Sequence, residues 1–208
     1  MQRMQTIAFF SQKGGSGKTT LAVHAAVAAQ ESGKRVVIVD TDSQKSATTW
    51  GVARTTATPV VATAAATDLV RVLDAAREEQ MTVAIVDTAP HAAPDAARIV
   101  RSVDLVVIPC RPSAFDIAAV SGAVDIVKAA GSSAVFVLSA CPTRSPEVPE
   151  TREILFSYGL PIAPVEIMER RAFARAVATG RAVTEFESNG KAANEIRMLW
   201  EWLQEQMA

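Results

Sequence analysis

The chain is predicted to form a doubly wound α/β fold, with a single, mostly parallel β-sheet flanked by helices. Three observations carry this. Seven short β-branched runs alternate with longer helical patterns along 208 residues. The runs are apolar throughout rather than alternating, which is the look of parallel strands buried on both faces. The composition is 49% hydrophobic but only 5% aromatic, so one domain-sized core must be built from Ala, Val, Ile and Leu.

Strands are expected over 5–11, 35–40, 59–62, 82–87, 104–109, 133–139 and about 161–166. Helical patterns fill the gaps at 18–32, 44–54, 66–80, 94–101, 115–130, 149–158, 170–179 and 190–206. Gly33 is placed to end the first helix before the second strand. The Ala/Thr-rich stretch 55–67 is short and reads as a surface strand and loop, not a linker. No internal repeat is present. Residues 1–208 are therefore expected to be one domain. Only four residues precede the first strand, so no N-terminal helix-turn-helix domain is expected.

Net charge is −1, so bulk charge does not make this chain a polyanion binder, and any nucleic-acid surface must be a local patch. The two cysteines, Cys110 and Cys141, lack CxxC spacing and read as free core thiols. There is no basic-then-apolar leader and no run of about 18 apolar residues. A soluble cytoplasmic protein is the expectation.

Lys13-Gly14-Gly15-Ser16-Gly17-Lys18-Thr19-Thr20 follows the first strand and opens the first helix. Strand, glycine-rich turn and helix are the setting of a phosphate-binding loop. Glycines leave backbone N–H groups free to curl around phosphate oxygens, and the helix N-terminus adds its positive dipole end. In such a loop Lys18 reaches the β- and γ-phosphates and the Thr19 hydroxyl ligates Mg²⁺. The general pattern places glycine at position 12, where this chain has Gln12, and the loop instead starts with a second lysine, Lys13. A glycine-rich turn that binds nothing needs no lysine at both ends.

This run resembles the deviant Walker A motif of the ParA/MinD family of ATPases. The resemblance implies a P-loop NTPase fold with ATP and Mg²⁺ as cofactors. It also implies nucleotide contacts from Gly14, Gly15, Ser16, Gly17, Lys18, Thr19 and Thr20. For Lys13 it implies the signature lysine, which reaches across a nucleotide-sandwich dimer to the partner's ATP.

Asp40-Thr41-Asp42-Ser43-Gln44 closes the second strand. Two carboxylates at i and i+2 just past a buried strand are costly unless they serve something. Alternation points both toward Lys18. The segment resembles the family's switch I, usually Asp-x-Asp-Pro-Gln, with Ser43 in place of Pro. By that match Asp40 supports the Mg²⁺ shell and Asp42 positions the attacking water. The competing reading, that these residues cap the helix starting near Gln44, accounts for Asp42 or Ser43 alone.

Val83-Ala84-Ile85-Val86-Asp87 has the Walker B pattern, whose Asp holds Mg²⁺ through water. Thr88-Ala89-Pro90 resembles switch II, usually Asp-x-Pro-Pro, with Ala89 departing from it. His91 reads as an exposed switch-loop residue and His24 as packed and uninvolved. Phosphoryl transfer needs charge neutralisation and an in-line water. Lys13, Lys18 and Asp42 are the expected catalytic residues, and Thr19, Asp40 and Asp87 the expected metal residues, of a Mg²⁺-dependent ATP hydrolase.

Pro109-Cys110-Arg111-Pro112-Ser113-Ala114-Phe115-Asp116 resembles the Pro-x-x-Pro-Ser-x-x-Asp segment of plasmid-type ParA proteins, which borders the nucleotide and the dimer interface. Residues 170–183 resemble the family's arginine-bearing helix and its Gly-x-x-Val turn. Cys141-Pro142-Thr143 and the loop near Val165 are candidate adenine contacts, Pro142 among them. Arg170, Arg171 and Arg175 form a cluster suited to DNA phosphates without sequence readout. The alternative is a solvated face paired with Glu166, Glu169 and Glu185.

The resemblance implies an ATP-made homodimer that binds non-specific DNA on the nucleoid. A ParB-like centromere-binding protein would stimulate hydrolysis, as in DNA partition. The alternative is a MinD-like membrane- or protein-positioning ATPase. Those end in a basic amphipathic helix. Here Ile196, Leu199, Trp200, Leu203 and Met207 make the apolar stripe, and the polar face is acidic or neutral. Packing in the core or a dimer, with no membrane partner, is expected. A metabolic ligase or a cluster-bearing reductase on the same fold is the third reading, but Cys110 and Cys141 do not match cluster positions.

Overall fold

Six of the seven apolar runs become strands: β1 (Gln5–Phe9), β2 (Val36–Asp40), β3 (Val60–Thr63), β4 (Val83–Asp87), β5 (Leu105–Cys110) and β6 (Ala134–Leu138). They form one sheet in the order β3-β2-β4-β1-β5-β6, with every pairing parallel. The computed structural model describes residues 3–90 and 93–207. The helices are α1 (Lys18–Glu31), α2 (Ser46–Val52), α3 (Leu69–Glu78), α4 (Ala93–Arg101), α5 (Ala114–Ala130), α6 (Glu147–Phe156), α7 (Arg171–Val177), α8 (Val183–Phe186) and α9 (Lys191–Gln206).

Successive strand residues point to opposite faces, and both faces are covered. Ile7, Phe9, Ile38, Ile85 and Val107 pack under α1, α2 and α7–α9. Ala8, Val39 and Val86 meet α3 and α4, while Val106, Ile108 and Phe136 meet α4, α5 and α6. This double burial is why the runs lack polar alternation. Helix α1 is buried nearly all round, from Leu21 to Ala29. Its alanines let the sheet approach on one side and α9 on the other. Ile196, Leu199, Trp200 and Leu203 of α9 fill that contact, and Trp200 Nε1 donates to Ser32 Oγ at 3.0 Å. The C-terminal stripe is thus core. Among the described residues no helix is long and apolar enough to cross a membrane.

Two expectations are corrected, and one helix is added. The strand expected at 161–166 is reduced to a single bridge, Ile162 with Phe136, and a second bridge joins Met168, just past it, to Cys141. Pro161 and Pro164 lack the N–H groups a ladder needs. The 170–179 helix stops at Val177, because Gly180 turns the chain with φ 67°. A Cβ there would lie 2.4 Å from the Ala53 backbone. Helix α8 had no sequence signal of sufficient length. Glu185 reaches back to accept from the Ala182 N–H at 2.8 Å and closes its first turn.

Candidate functional site

The parallel register sets Phe9, Asp40 and Asp87 side by side on three adjacent strands. Their following loops therefore leave the same carboxyl edge of the sheet, where ligands of such folds sit. The first loop, 10–17, ends at Gly17 in the left-handed region, φ 98°, and delivers Lys18 as the first residue of α1. Ser139, just past β6, braces the loop by donating to the Ser16 carbonyl at 3.1 Å. Gly14 and Gly15 are exposed, with nothing within 4 Å of where a Cβ would stand, so the cradle is open.

Lys18 is buried, and its Nζ donates to the Lys13 carbonyl at 3.0 Å. Burial lowers its pKa, while Asp87 and Asp42 oppose that shift. Lys13 turns the other way and forms an ion pair with buried Asp116 in the first turn of α5. Ser113 caps that helix and also donates to the Asp116 carboxylate.

Asp40 accepts from the Asp42 N–H at 3.1 Å and from the Thr48 N–H and hydroxyl, both at 2.8 Å. It ties the loop after β2 to the start of α2, so the capping function lies with Asp40. Asp42 accepts from the Gln44 N–H at 2.9 Å. Thr41 binds the Asp87 carbonyl through both its N–H and its hydroxyl, at 2.9 and 2.8 Å.

Asp87 is fully buried, and neither carboxylate oxygen has a hydrogen-bond partner among the described residues. Burial pushes its pKa up to about 7; the Thr19 hydroxyl and Lys18 pull it down, and Asp40 and Asp42 push it up. An orphaned buried carboxylate beside a threonine hydroxyl suits a hard divalent cation. No group of three or more His, Cys, Asp or Glu among the described residues could hold a metal by itself. Mg²⁺ would therefore rest on Thr19 and, through water, the carboxylates, and otherwise on the phosphates of a nucleotide.

In metal-free protein, the folded state keeps a proton on Asp87 that the unfolded chain releases near 3.8. The stabilisation from that proton is present below this value and is lost as pH rises toward 7. Asp87→Asn is expected to match wild type in melting temperature near pH 4 and exceed it progressively up to neutral pH. Thermal melts in EDTA across that range check this, and parallel curves would refute it.

Two cavities meet at the loop. One, of about 310 Å³, is lined by the glycine loop, Asp42, Gln44, Pro90 and Arg111. The other, of about 260 Å³, is walled by Leu21, Ser139, Ala140, Ile167, Met168 and Phe173. The second has the apolar lining a purine needs. Pro142 lines neither; it is exposed where the chain turns outward after Cys141, and Ser139 and Ala140 occupy the wall instead.

The arginine cluster divides. Arg170 is engaged by Glu195, through Nη2 at 2.5 Å and Nε at 3.0 Å. It is a strut between α7 and α9. Arg171, Arg175 and Lys191 are exposed around one concavity, together with Glu169 and Glu187. Arg175 lies over the Phe186 ring at 5.2 Å. Glu166 pairs with Arg152 and Glu185 with Arg54 rather than with the cluster.

His24 is packed as expected. Its Nδ1 accepts from the Val183 N–H at 3.1 Å, its ring meets Phe173 edge-on, and burial lowers its pKa to about 3. Cys110 and Cys141 are buried thiols raised to about 12 by desolvation. His91 lies outside the described residues. Ser139, Thr48 and Asp116 are site residues that sequence reasoning did not assign. Asp116 stood in a quoted motif, but Ser139 and Thr48 carry no local signal.

Residues 7–183 match the CobQ/CobB/MinD/ParA nucleotide-binding domain family. Protein ParA of Rhizobium radiobacter is 28% identical over 182 residues, 82% of this chain and 81% of that protein. Among solved structures, apo McdA of Cyanothece superposes with a TM-score of 0.81 at 15% identity, covering 99% of this chain and 100% of McdA. MinD of Pyrococcus horikoshii, complexed with Mg-ADP, superposes with a TM-score of 0.78 at 18% identity over 96% of each chain. With most of its length matched and its phosphate-loop geometry in place, the chain belongs to the CobQ/CobB/MinD/ParA nucleotide-binding domain family.

Proposed function

We propose that this protein is a Mg²⁺-dependent ATPase of the partition type, a nucleotide-gated dimer that holds non-specific DNA. The observation that carries the reading is the convergence of Lys18, Thr19, Asp42 and the orphaned Asp87 carboxylate on one sheet edge. Mg-ADP in the MinD complex and the similarity to ParA support it. A bound Mg²⁺ would neutralise developing phosphate charge. The chain's own residues do the rest. The loop amides and Lys18 hold the phosphates, and Asp42, on the adjoining wall, orients a water for in-line attack. Lys13 leaves Asp116 to reach a partner's nucleotide when two copies close.

Arg171, Arg175 and Lys191 form the DNA-facing patch in this reading. One copy offers few phosphate contacts; an ATP-made dimer doubles them, so binding becomes gated by avidity. The stripe a membrane-positioning ATPase would turn to lipid is buried against α1, which favours DNA over a bilayer. A ParB-like protein is the proposed stimulator of hydrolysis.

The test measures non-specific duplex DNA binding without nucleotide and with ADP, ATP and a non-hydrolysable analogue, at fixed salt, beside liposomes. Binding is expected only with the triphosphates. The double variant Arg171→Ala, Arg175→Ala is expected to retain ATP turnover and to lower the salt slope of DNA binding by roughly one per lost phosphate contact. DNA binding in no state, or liposome binding instead, would overturn the partition reading.

A further inference from the structure

Among the described residues, Arg111 is the charged residue common to the walls of both cavities, which otherwise share Gly17 and Thr20. Its backbone is fixed in the turn between β5 and α5, where its carbonyl accepts from the Ser113 N–H at 2.8 Å. Its side chain is exposed. The neighbouring cations are all engaged: Lys13 by Asp116, Lys18 by the Lys13 carbonyl and Arg170 by Glu195. The Arg111 guanidinium makes no side-chain hydrogen bond or ion pair among the described residues. It stands at the junction of a purine-sized apolar cavity and a glycine-lined anion cradle.

A nucleotide spanning the two cavities has its base in the first and its terminal phosphates in the second. The phosphate next to the ribose must then cross the junction. We propose that Arg111 is a nucleotide-contacting residue whose guanidinium donates to that α-phosphate. The inference rests on the nucleotide reading above. A planar guanidinium suits two oxygens of one phosphate, and its positive charge offsets Asp42 and Glu169 on the adjoining walls. Contact with the α-phosphate predicts equal importance for ADP and ATP, whereas Lys13 and Lys18 favour the triphosphate end.

The test is equilibrium binding of Mg-ADP and Mg-ATP to wild type, Arg111→Ala and Arg111→Lys, with Lys18→Ala as a loop control. Arg111→Ala is expected to weaken both nucleotides by a similar factor, roughly tenfold, the loss of one charge-assisted contact. Arg111→Lys is expected to recover part of it by restoring a point charge. The exposed Arg111 side chain makes no hydrogen bond or ion pair among the described residues, so both Arg111 variants should melt with the wild type. Unchanged affinity in Arg111→Ala would overturn the proposal, as would a loss confined to ATP, which would put the guanidinium at the terminal phosphate. Wild type that binds neither nucleotide would sink the nucleotide reading itself, a result distinct from a wild type that binds while Arg111→Ala binds equally well.

Discussion

Lys18→Ala is expected to lose ATP binding and, with it, turnover. The ammonium is held at the mouth of α1 by a single bond to the Lys13 carbonyl, a contact it exchanges for phosphate oxygens. Two charge-assisted bonds, to the β- and γ-phosphates, are worth roughly 3–6 kcal/mol together, or about 100-fold or more in affinity. The variant should fold normally. Burial already lowers the Lys18 pKa, so the nucleotide-free protein carries a desolvated charge that alanine removes. Mg-ATP titration beside a thermal melt separates the two effects. A stable variant with wild-type ATP affinity would refute the assignment of the loop.

Arg54→Ala carries the largest expected stability loss. Arg54 follows α2, and its side chain is only 2% exposed. It donates to both Glu185 carboxylate oxygens at 2.8 and 3.0 Å, to the Gly180 carbonyl at 2.9 Å and to the Thr58 carbonyl at 2.7 and 3.0 Å. It also lies over the Trp50 ring at 4.6 Å, and Trp50 Nε1 donates to the Arg181 carbonyl. Removing it leaves a carboxylate and two carbonyls short of donors where the α7–α8 turn docks on α2. Breaking a buried pair costs about 3–5 kcal/mol, and Glu185 keeps some solvent, so the lower end applies. A drop of roughly 6–12 °C in Tm follows for a chain of this size. Burial alone would raise the Glu185 carboxyl, but hydrogen bonds from Arg54 and the Ala182 N–H carry it below its ordinary value. The pair's contribution is therefore present above the usual Glu range and fades as pH falls below it. A melt shifted by less than about 2 °C would refute this role, given roughly 2–4 °C per kcal/mol.

The nucleotide loop was legible because its chemistry is contiguous. Lys13 to Thr20 carries three glycines, two lysines and three hydroxyls in one uninterrupted run, and the strand and helix on either side follow from local periodicity. Asp40 and Asp87 were legible for a related reason: each ends a buried apolar strand, and a parallel register brings such ends together. The 161–166 segment misled because two prolines interrupt an apolar run, and α8 was missed because a four-residue helix has no period to read.

By itself the sequence determined the fold class, the phosphate loop and the acids facing it. Those properties come from spacing within about ten residues, where backbone geometry leaves few choices. Tertiary structure alone decided how the cations are used. The Lys13–Asp116 pair spans 103 positions, the Ser139 brace on the loop 123 and the Arg54–Glu185 pair 131. Arg170, which looks as free as Arg171 in the chain, is withdrawn by Glu195 from 25 positions away, and Arg111 is left open between two cavities. An ion pair or a cavity wall is set by which elements pack together, and a side chain's own neighbours in sequence carry no record of that packing.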